Sequence, residues 1–179
     1  MKKSVLTVTL LSVAFTVMAA SCANKPKADN PAPAVEATEV AAEGDVAPDF
    51  ELPNLQGATT KLSSLRGKYV VLDFWGSWCV WCIRGIPRMK EAYTKYKDKM
   101  EILGVDCNDT EEKWKAAVSE HQLPWLQVRC PNEQLRTIAS QYNVEGFPTK
   151  VIIDPNGKLI KTVVGEDPAF YTYLDELFK

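Results

Sequence analysis

The feature that most constrains the fold is a pair of cysteines that follows a buried strand. The run Tyr-Val-Val-Leu-Asp-Phe-Trp at 69–75 is continuously β-type, which is typical of a strand buried on both faces of a sheet. Gly76 comes next, then Cys79 and Cys82, and a helical pattern continues to about Asp98. The segment therefore predicts a strand that leads into a helix, with both thiols at the N-terminus of that helix.

Strand and helix patterns alternate along the rest of the chain. Asp154-Pro155-Asn156-Gly157 separates two β-type runs and predicts a hairpin, because Asn-Gly tolerates positive φ. Further strands are predicted at 49–52, 59–62, 101–106, 126–128, 149–153 and 158–164, and further helices after Thr110, around 135–142 and at 168–178. We expect an α/β fold in which a central mixed β-sheet is flanked by helices and preceded by an N-terminal β extension.

Length and charge limit the number of domains and the class of partner. The 179 residues fit one domain of ordinary size, at 46–179, with an N-terminal extension. The net charge is -2 and the sequence contains no basic stripe, which argues against a nucleic-acid partner. We expect the domain to be a monomer.

The N-terminus has the pattern of an export signal. Lys2 and Lys3 precede an apolar run at 5–20, which is shorter than the roughly 20 residues that span a bilayer comfortably. Residues 1–21 therefore predict a signal peptide. The small residues before Cys22 resemble a bacterial lipoprotein signal, in which Cys22 becomes the lipidated first residue. Plain secretion and an uncleaved anchor are the alternatives.

Residues 22–45 form a predicted tether. Prolines are interspersed there with Ala, Glu, Asp, Asn and Lys, so the segment buries too little to offset its own ordering entropy. A lipid at one end and a folded domain at the other would place the protein on the periplasmic side of a bacterial membrane. Without the lipid, the protein would be secreted into the periplasm.

The spacing of Cys79 and Cys82 favours dithiol redox chemistry without a metal or other cofactor. One helical turn brings both sulfurs within disulfide reach, and the unpaired N–H groups at a helix N-terminus stabilise a thiolate. Cys79 is predicted to be the more exposed, attacking thiol, and Cys82 to resolve the mixed disulfide. The alternatives are a structural disulfide, which would close only a tiny loop, and zinc bound by these cysteines together with Cys107 and Cys130.

The residues around the cysteine pair resemble a known family. Phe74-Trp75-Gly76-Ser77-Trp78-Cys79-Val80-Trp81-Cys82 is similar to the active-site segment of thioredoxins. Ala47-Pro48-Asp49-Phe50 and Leu65-Arg66-Gly67-Lys68 extend the likeness to the membrane-tethered TlpA/ResA-like thiol-disulfide oxidoreductases. The resemblance implies a thioredoxin fold that exchanges disulfides in exported proteins, with electrons from a membrane donor of the thiol-reducing type. Clients in the family include cytochrome c apoproteins.

The resemblance also implies a substrate-binding surface. Gly146-Phe147-Pro148-Thr149 matches the family's proline loop, in which the proline is cis and faces the cysteine pair. The backbone of Phe147 would pair with a substrate strand, and Trp78 and Trp81 are assigned to the same surface. An ordinary loop proline before a strand is the alternative for Pro148.

Asp73 lies inside the apolar strand, six residues before Cys79. A carboxylate at such a place is costly unless it is protonated or paired, which suggests a function. Asp73 aligns with the buried carboxylate of thioredoxins, and the resemblance implies that it accepts the proton of the resolving cysteine. The alternative is a strand-edge aspartate that faces water.

Two positions depart from the family pattern. Some members carry a glutamate three residues after the second cysteine, where this chain has Gly85. The acid–base role of that glutamate cannot be transferred, which places more weight on Asp73. Trp81 also differs from the common Gly-Pro between the cysteines, and the residues there tune the reduction potential.

Cys107 and Cys130 each follow an apolar strand, so one sheet edge could hold both. In an exported protein they could form a second disulfide. The alternative is a pair of independent buried thiols, which behave as small hydrophobic side chains.

Two other functions compete with disulfide exchange. Ala47-Pro48-Asp49-Phe50 also occurs in peroxiredoxins, but a thiol peroxidase needs a proline and a threonine or serine just before its reactive cysteine. Leu72 and Gly76 occupy those places here. The other is a metal-binding thiol module that uses the same cysteines.

The lipoprotein hypothesis predicts that Cys22 carries a lipid. In bacteria grown with a radiolabelled fatty acid, we expect the full chain to be labelled and a Cys22→Ser variant to lose the label. Equal labelling of both proteins, or none of either, would contradict lipidation at Cys22.

Overall fold

The computed structural model of the chain describes residues 40–179. The predicted signal peptide, Cys22 and the predicted tether up to residue 39 lie outside them. The described residues form seven strands, four α-helices and a short 3-10 helix at Leu62–Leu65. In chain order the strands and α-helices are β1 Glu51–Pro53, β2 Thr59–Lys61, β3 Tyr69–Trp75, α1 Val80–Tyr96, β4 Met100–Cys107, α2 Glu111–Glu120, β5 Leu126–Cys130, α3 Asn132–Gln141, β6 Thr149–Ile153, β7 Leu159–Val164 and α4 Pro168–Leu177.

β3 is the middle strand of a five-stranded mixed sheet with the order β5-β4-β3-β6-β7. β4 is parallel to β3 and β5 is parallel to β4, whereas β6 is antiparallel to β3 and β7 to β6. β1 and β2 form a separate antiparallel pair before the sheet. The predicted α/β class, the mixed sheet and the N-terminal β extension are therefore confirmed.

Alternate residues of β3 face opposite sides of the sheet. Leu72 and Phe74 pack in a cluster that includes side chains of α3 and of the β1–β2 hairpin. Val71 packs against α1 and α4, and Trp75 against α2 and the cysteine pair. Asp73 lies between Val71 and Trp75 in this alternation, so it belongs to the face that carries α1.

The hairpin between β6 and β7 is fixed by its turn residues. The Asp154 carboxylate accepts hydrogen bonds from the N–H groups of Asn156 and Lys158, both at 2.8 Å. Gly157 has a φ of +88°, in the left-handed region that favours glycine. This turn chemistry is why the sequence prediction of the hairpin is correct.

Residues 41–45, which the sequence assigns to the tether, are hydrogen-bonded to the domain. The N–H of Ala41 donates to the carbonyl of Gln141 at 2.9 Å, and that of Gly44 to Leu159 at 2.7 Å. Val46 then forms a β-bridge with Lys158. Residues up to five positions before the predicted boundary at residue 46 thus contact the domain.

Helices between residues 40 and 179 are all too short or too polar to cross a bilayer.

The packing around β3 predicts a large cost for truncating Leu72, which is fully buried. We expect Leu72→Ala to lower the free energy of unfolding by about 3 kcal/mol, since it leaves a cavity in the centre of the core. Leu126→Ala is the matched control, because Leu126 is 41% exposed, and we expect a loss below about 1 kcal/mol. Urea denaturation of the oxidised protein measures both values, and equal losses would contradict the described packing.

Candidate active site

Cys79 and Cys82 form a disulfide at the N-terminus of α1. Cys79 is the N-cap residue, with an extended backbone, and its Sγ accepts a hydrogen bond from the N–H of Cys82 at 3.1 Å. In the reduced protein the same N–H and the positive end of the helix would stabilise a thiolate on Cys79.

Exposure does not distinguish the two cysteine residues. Cys79 is 5% exposed and Cys82 is 6% exposed, so the expectation that Cys79 is the more accessible residue is not met. The reason is that Trp75 and side chains of α2 pack around both cysteines. The N-cap position of Cys79 is therefore the structural feature that separates the roles of the two thiols.

The loop between β3 and α1 is held by hydrogen bonds from the end of β4. The N–H and Oγ of Ser77 donate to the two carboxylate oxygens of Asp109, each at 2.7 Å, and Nε1 of Trp78 donates to the carbonyl of Cys107 at 2.9 Å. A Cβ at Gly76 would lie 2.8 Å from Cε2 of Trp78, so only glycine allows this close packing. Sequence reasoning missed Asp109, because its partner is 32 residues away.

Exposed apolar side chains surround the disulfide. Trp78, Val80 and Trp81 are 49%, 59% and 60% exposed. Phe147 packs edge-on against Trp78, with ring centroids 5.2 Å apart, and the Phe147–Pro148 peptide bond is cis. Of the four residues that the sequence assigns to a substrate surface, Trp78 and Trp81 thus lie just before and within the start of α1, and Phe147 and Pro148 lie in the proline loop. A rim of this kind suits an extended polypeptide.

Asp73 occupies the central strand and is therefore not at a strand edge. Part of its surface is accessible, but its Oδ1 is buried and has no hydrogen-bond partner among the described residues. In the sheet it is paired with Lys150 on β6 and Gly104 on β4. Desolvation raises the pKa of Asp73, the cation of Lys150 opposes that rise, and the anion of Glu166 adds to it.

Lys150 and Glu166 form a largely buried ion pair beside Asp73. Nζ of Lys150 lies 2.7 Å from Oε2 of Glu166, and their side chains are 3% and 16% exposed. Neither residue is predicted from the sequence to belong to the site. The sequence does place a lysine, Lys150, inside the apolar run 149–153. Because a buried cation requires a partner, this lysine could have indicated a buried ion pair.

Asp106 is a second buried carboxylate on this face, paired in the sheet with Trp75 and Arg129. Both of its oxygens lack a hydrogen-bond partner within residues 40–179. Burial, followed by the neighbouring Asp109, raises the pKa of Asp106 to about 9. A pKa in this range favours the protonated, uncharged form of Asp106 at neutral pH.

Cys107 and Cys130 lie on the opposite face of the sheet, within the cluster that contains Leu72. Both are free thiols in the structure, so the possible second disulfide is not formed. Although the two residues are paired across β4 and β5, their sulfurs interact with separate carbonyls, those of Val105 and Pro131. Burial raises the pKa of both thiols, that of Cys130 to about 11.

The described residues give no support to the zinc alternative. The sheet separates Cys107 and Cys130 from the Cys79–Cys82 pair. Within 40–179 no cluster of three or more cysteine, histidine or acidic side chains is arranged to hold a metal ion.

Comparison with known proteins places this geometry among thiol-disulfide oxidoreductases. The AhpC/TSA family profile matches residues 43–162. ResA of a Bacillus cereus strain is 36% identical over 124 residues, which cover 69% of this chain and 70% of the relative. ResA of Geobacillus kaustophilus is 37% identical over 131 residues, covering 73% of each chain.

Solved structures show the same fold. The thioredoxin domain of a thiol-disulfide oxidoreductase from Bacteroides vulgatus has a TM-score of 0.72 and 31% identity, over 77% of this chain and 99% of that one. A thiol:disulfide interchange protein from Bacteroides sp. has a TM-score of 0.69 and 33% identity, over 76% and 90%. The predicted thioredoxin fold is confirmed.

The burial of Cys107 and Cys130 predicts their reactivity. In the folded, oxidised protein we expect iodoacetamide to leave both unmodified, because high pKa values and burial suppress the thiolates. After unfolding without reductant, each should be alkylated separately while Cys79 and Cys82 stay linked. Peptide mass spectrometry measures this, and a peptide pair joined through Cys107 and Cys130 would contradict the structure.

Proposed function

Because the chain belongs to the AhpC/TSA family and is a thiol-disulfide oxidoreductase similar to ResA, we propose that it reduces disulfides in exported proteins. The observation that carries this proposal is the Cys79–Cys82 disulfide at a helix N-terminus, surrounded by exposed apolar side chains. The helix end supplies the chemistry of a reactive thiol, and the apolar rim supplies a surface for a polypeptide client.

Reduction takes place in two exchange steps. The Cys79 thiolate attacks one sulfur of the client disulfide, which forms a mixed disulfide and releases the other client sulfur as a thiolate. Cys82, as a thiolate, then attacks the Cys79 sulfur, which restores the intramolecular disulfide and releases the second client thiol. The client gains two electrons and the Cys79–Cys82 couple loses two.

The second step needs a base, since Cys82 is buried in the helix and must lose its proton before it attacks. We assign this role to Asp73, which lies on the face of β3 that carries α1. Its raised pKa makes it a stronger base than a carboxylate with an ordinary pKa of about 3.9.

The proline loop would hold the client. An extended client segment can pair with the backbone of Phe147 beside the cis bond to Pro148. Trp78, which packs against Phe147, and the exposed Trp81 would contact client side chains near the disulfide. Because these contacts involve mainly backbone and apolar surface, they accept clients with varied sequences.

The site of action that we propose is the periplasmic face of a bacterial membrane. The support is the export pattern of residues 1–21, the lipidation pattern at Cys22 and the composition of the tether. A membrane donor of the thiol-reducing type would return the couple to its dithiol form. Apoproteins of cytochromes c, whose haem-site cysteines can oxidise, are the client class we favour.

A reductase role predicts both an activity and a potential. We expect the reduced protein to reduce insulin disulfides, Cys79→Ser to lose at least about 100-fold in rate, and Cys82→Ser to accumulate a mixed disulfide. Cys130→Ala is the control that should retain the rate, because Cys130 is on the opposite face.

Equilibration of the Cys79–Cys82 couple with glutathione should give a reduction potential nearer to about −270 mV than to about −120 mV. A potential at the oxidising end would contradict net reduction, and rapid consumption of peroxide would favour a peroxidase instead.

A further inference from the structure

Gly85 is on the buried face of α1, three residues after Cys82. The space where its side chain would lie is filled by the carboxylate of Glu166, because a Cβ built at Gly85 would overlap Oε2 and lie 2.6 Å from Cδ of Glu166. The space beside the buried face of α1 is therefore occupied by a carboxylate that belongs to the segment between β7 and α4.

Three contacts hold Glu166 in this position. Its Oε2 pairs with Nζ of Lys150 at 2.7 Å, and its Oε1 accepts a hydrogen bond from the Tyr171 hydroxyl at 2.6 Å. The preceding residue, Gly165, has a φ of +85° and donates its N–H to the carbonyl of Pro148 at 2.7 Å. The segment that carries Glu166 is thus attached to the proline loop at one end and to α4 at the other.

Lys150 connects this carboxylate to Asp73. The two residues are paired across β3 and β6, so their side chains extend from the same face of the sheet as neighbours. On the other side of Asp73 in that row is Gly104, which contributes no side chain. Lys150 is consequently the charged residue nearest to Asp73 in the sheet, and Glu166 neutralises it.

We propose that Glu166 is the second carboxylate of the Cys79–Cys82 centre, a positioning residue that takes the place left open by Gly85 and controls the protonation of Asp73 through Lys150. The proposal rests on the assignment of Asp73 as the proton acceptor of Cys82. Glu166 itself touches no reacting sulfur. It acts by cancelling the cation that would otherwise hold Asp73 in its ionised, weakly basic form.

The charges around Asp73 determine the sign of each expected effect. Without Glu166, the unneutralised Lys150 favours the Asp73 carboxylate, so the pH midpoint of Asp73 falls. Without Lys150, Asp73 loses its stabilising cation and keeps the Glu166 anion, so the midpoint rises. The titratable or charged groups on this face are Lys150 on β6, Glu166 before α4, Tyr171 on α4, and Arg88 and Cys82 on α1. Cys107 on β4 influences Asp73 only through the sheet, from its opposite face.

The experiment measures the resolving step alone. In the full chain with Cys22→Ser, the reduced protein is mixed with Ellman's reagent, whose first thiolate is released on attack by Cys79 and whose second is released on attack by Cys82. The rate of the second release, followed by stopped-flow absorbance across a pH series, gives the midpoint. We expect Glu166→Gln to lower it by about one pH unit and Lys150→Met to raise it by about one unit.

Three further variants make the result specific. Glu176→Gln, which removes an exposed glutamate on α4, should leave the midpoint unchanged. In Glu166→Ala combined with Gly85→Glu, the first change opens the space that the second needs, and a carboxylate returned on α1 should restore the midpoint. Asp73→Asn should remove the midpoint and slow the step by roughly 100-fold.

The possible outcomes separate this inference from the assignment of Asp73. If Asp73→Asn leaves the profile unchanged, Asp73 is not the base and both proposals fail. If Asp73→Asn removes the midpoint but Glu166→Gln and Lys150→Met shift it in the same direction, or not at all, the role of Glu166 alone fails. If Lys150→Met does not fold, the test uses the double variant Glu166→Ala with Gly85→Glu instead. The role of Glu166 then fails if Glu166→Gln lowers the midpoint but the double variant does not restore it.

Discussion

The structure depends on the junction at which β3 ends and α1 begins. A buried strand delivers the chain to the middle of the sheet, and the helix that follows must leave without clashing with β4 or β6. Gly76 permits the close passage of Trp78, and Asp109 holds the connecting loop through Ser77. Cys79 then becomes the N-cap of α1. The redox chemistry follows from this junction, because it places the sulfur of Cys79 at the positive end of a helix. It also places the carboxyl group of Asp73 on the strand that leads into that helix, one residue before Phe74.

Local sequence patterns were sufficient to predict most of the fold and the cysteine pair of the site. The β3 run, the cysteine spacing and the turn at Asn156 and Gly157 each depend on neighbours in sequence, and each prediction agrees with the structure. Asp109, Lys150 and Glu166 were missed because their partners are distant along the chain. The hydrogen bonds between residues 41–45 and Gln141 and Leu159 were not predicted either, since they leave no mark on local composition.

The ion pair between Lys150 and Glu166 shows how a sheet can accommodate a buried lysine beside the carboxyl group of Asp73. Two buried charges of opposite sign cost far less than one, provided that their remaining hydrogen-bonding groups are satisfied. Tyr171 supplies one of those bonds, and Arg88 packs over the Tyr171 ring at 4.2 Å. Asp73 thus lies in a field set by residues from β6, α1, α4 and the segment before α4, rather than by its own strand. Because these residues come from four segments, no single segment of the sequence predicts the electrostatic field at Asp73.

The sheet that separates the two cysteine pairs also limits how many electrons the domain can hold in exchangeable thiols. Cys107 and Cys130 are behind the strands, protonated and out of contact with solvent, whereas Cys79 and Cys82 meet the surface at the other side. Electrons cannot pass between the pairs by thiol exchange, because no sulfur of one can approach a sulfur of the other. Residues 40–179 therefore hold at most two exchangeable electrons, those of the Cys79–Cys82 couple, and a second pair can be taken up only after the first has left.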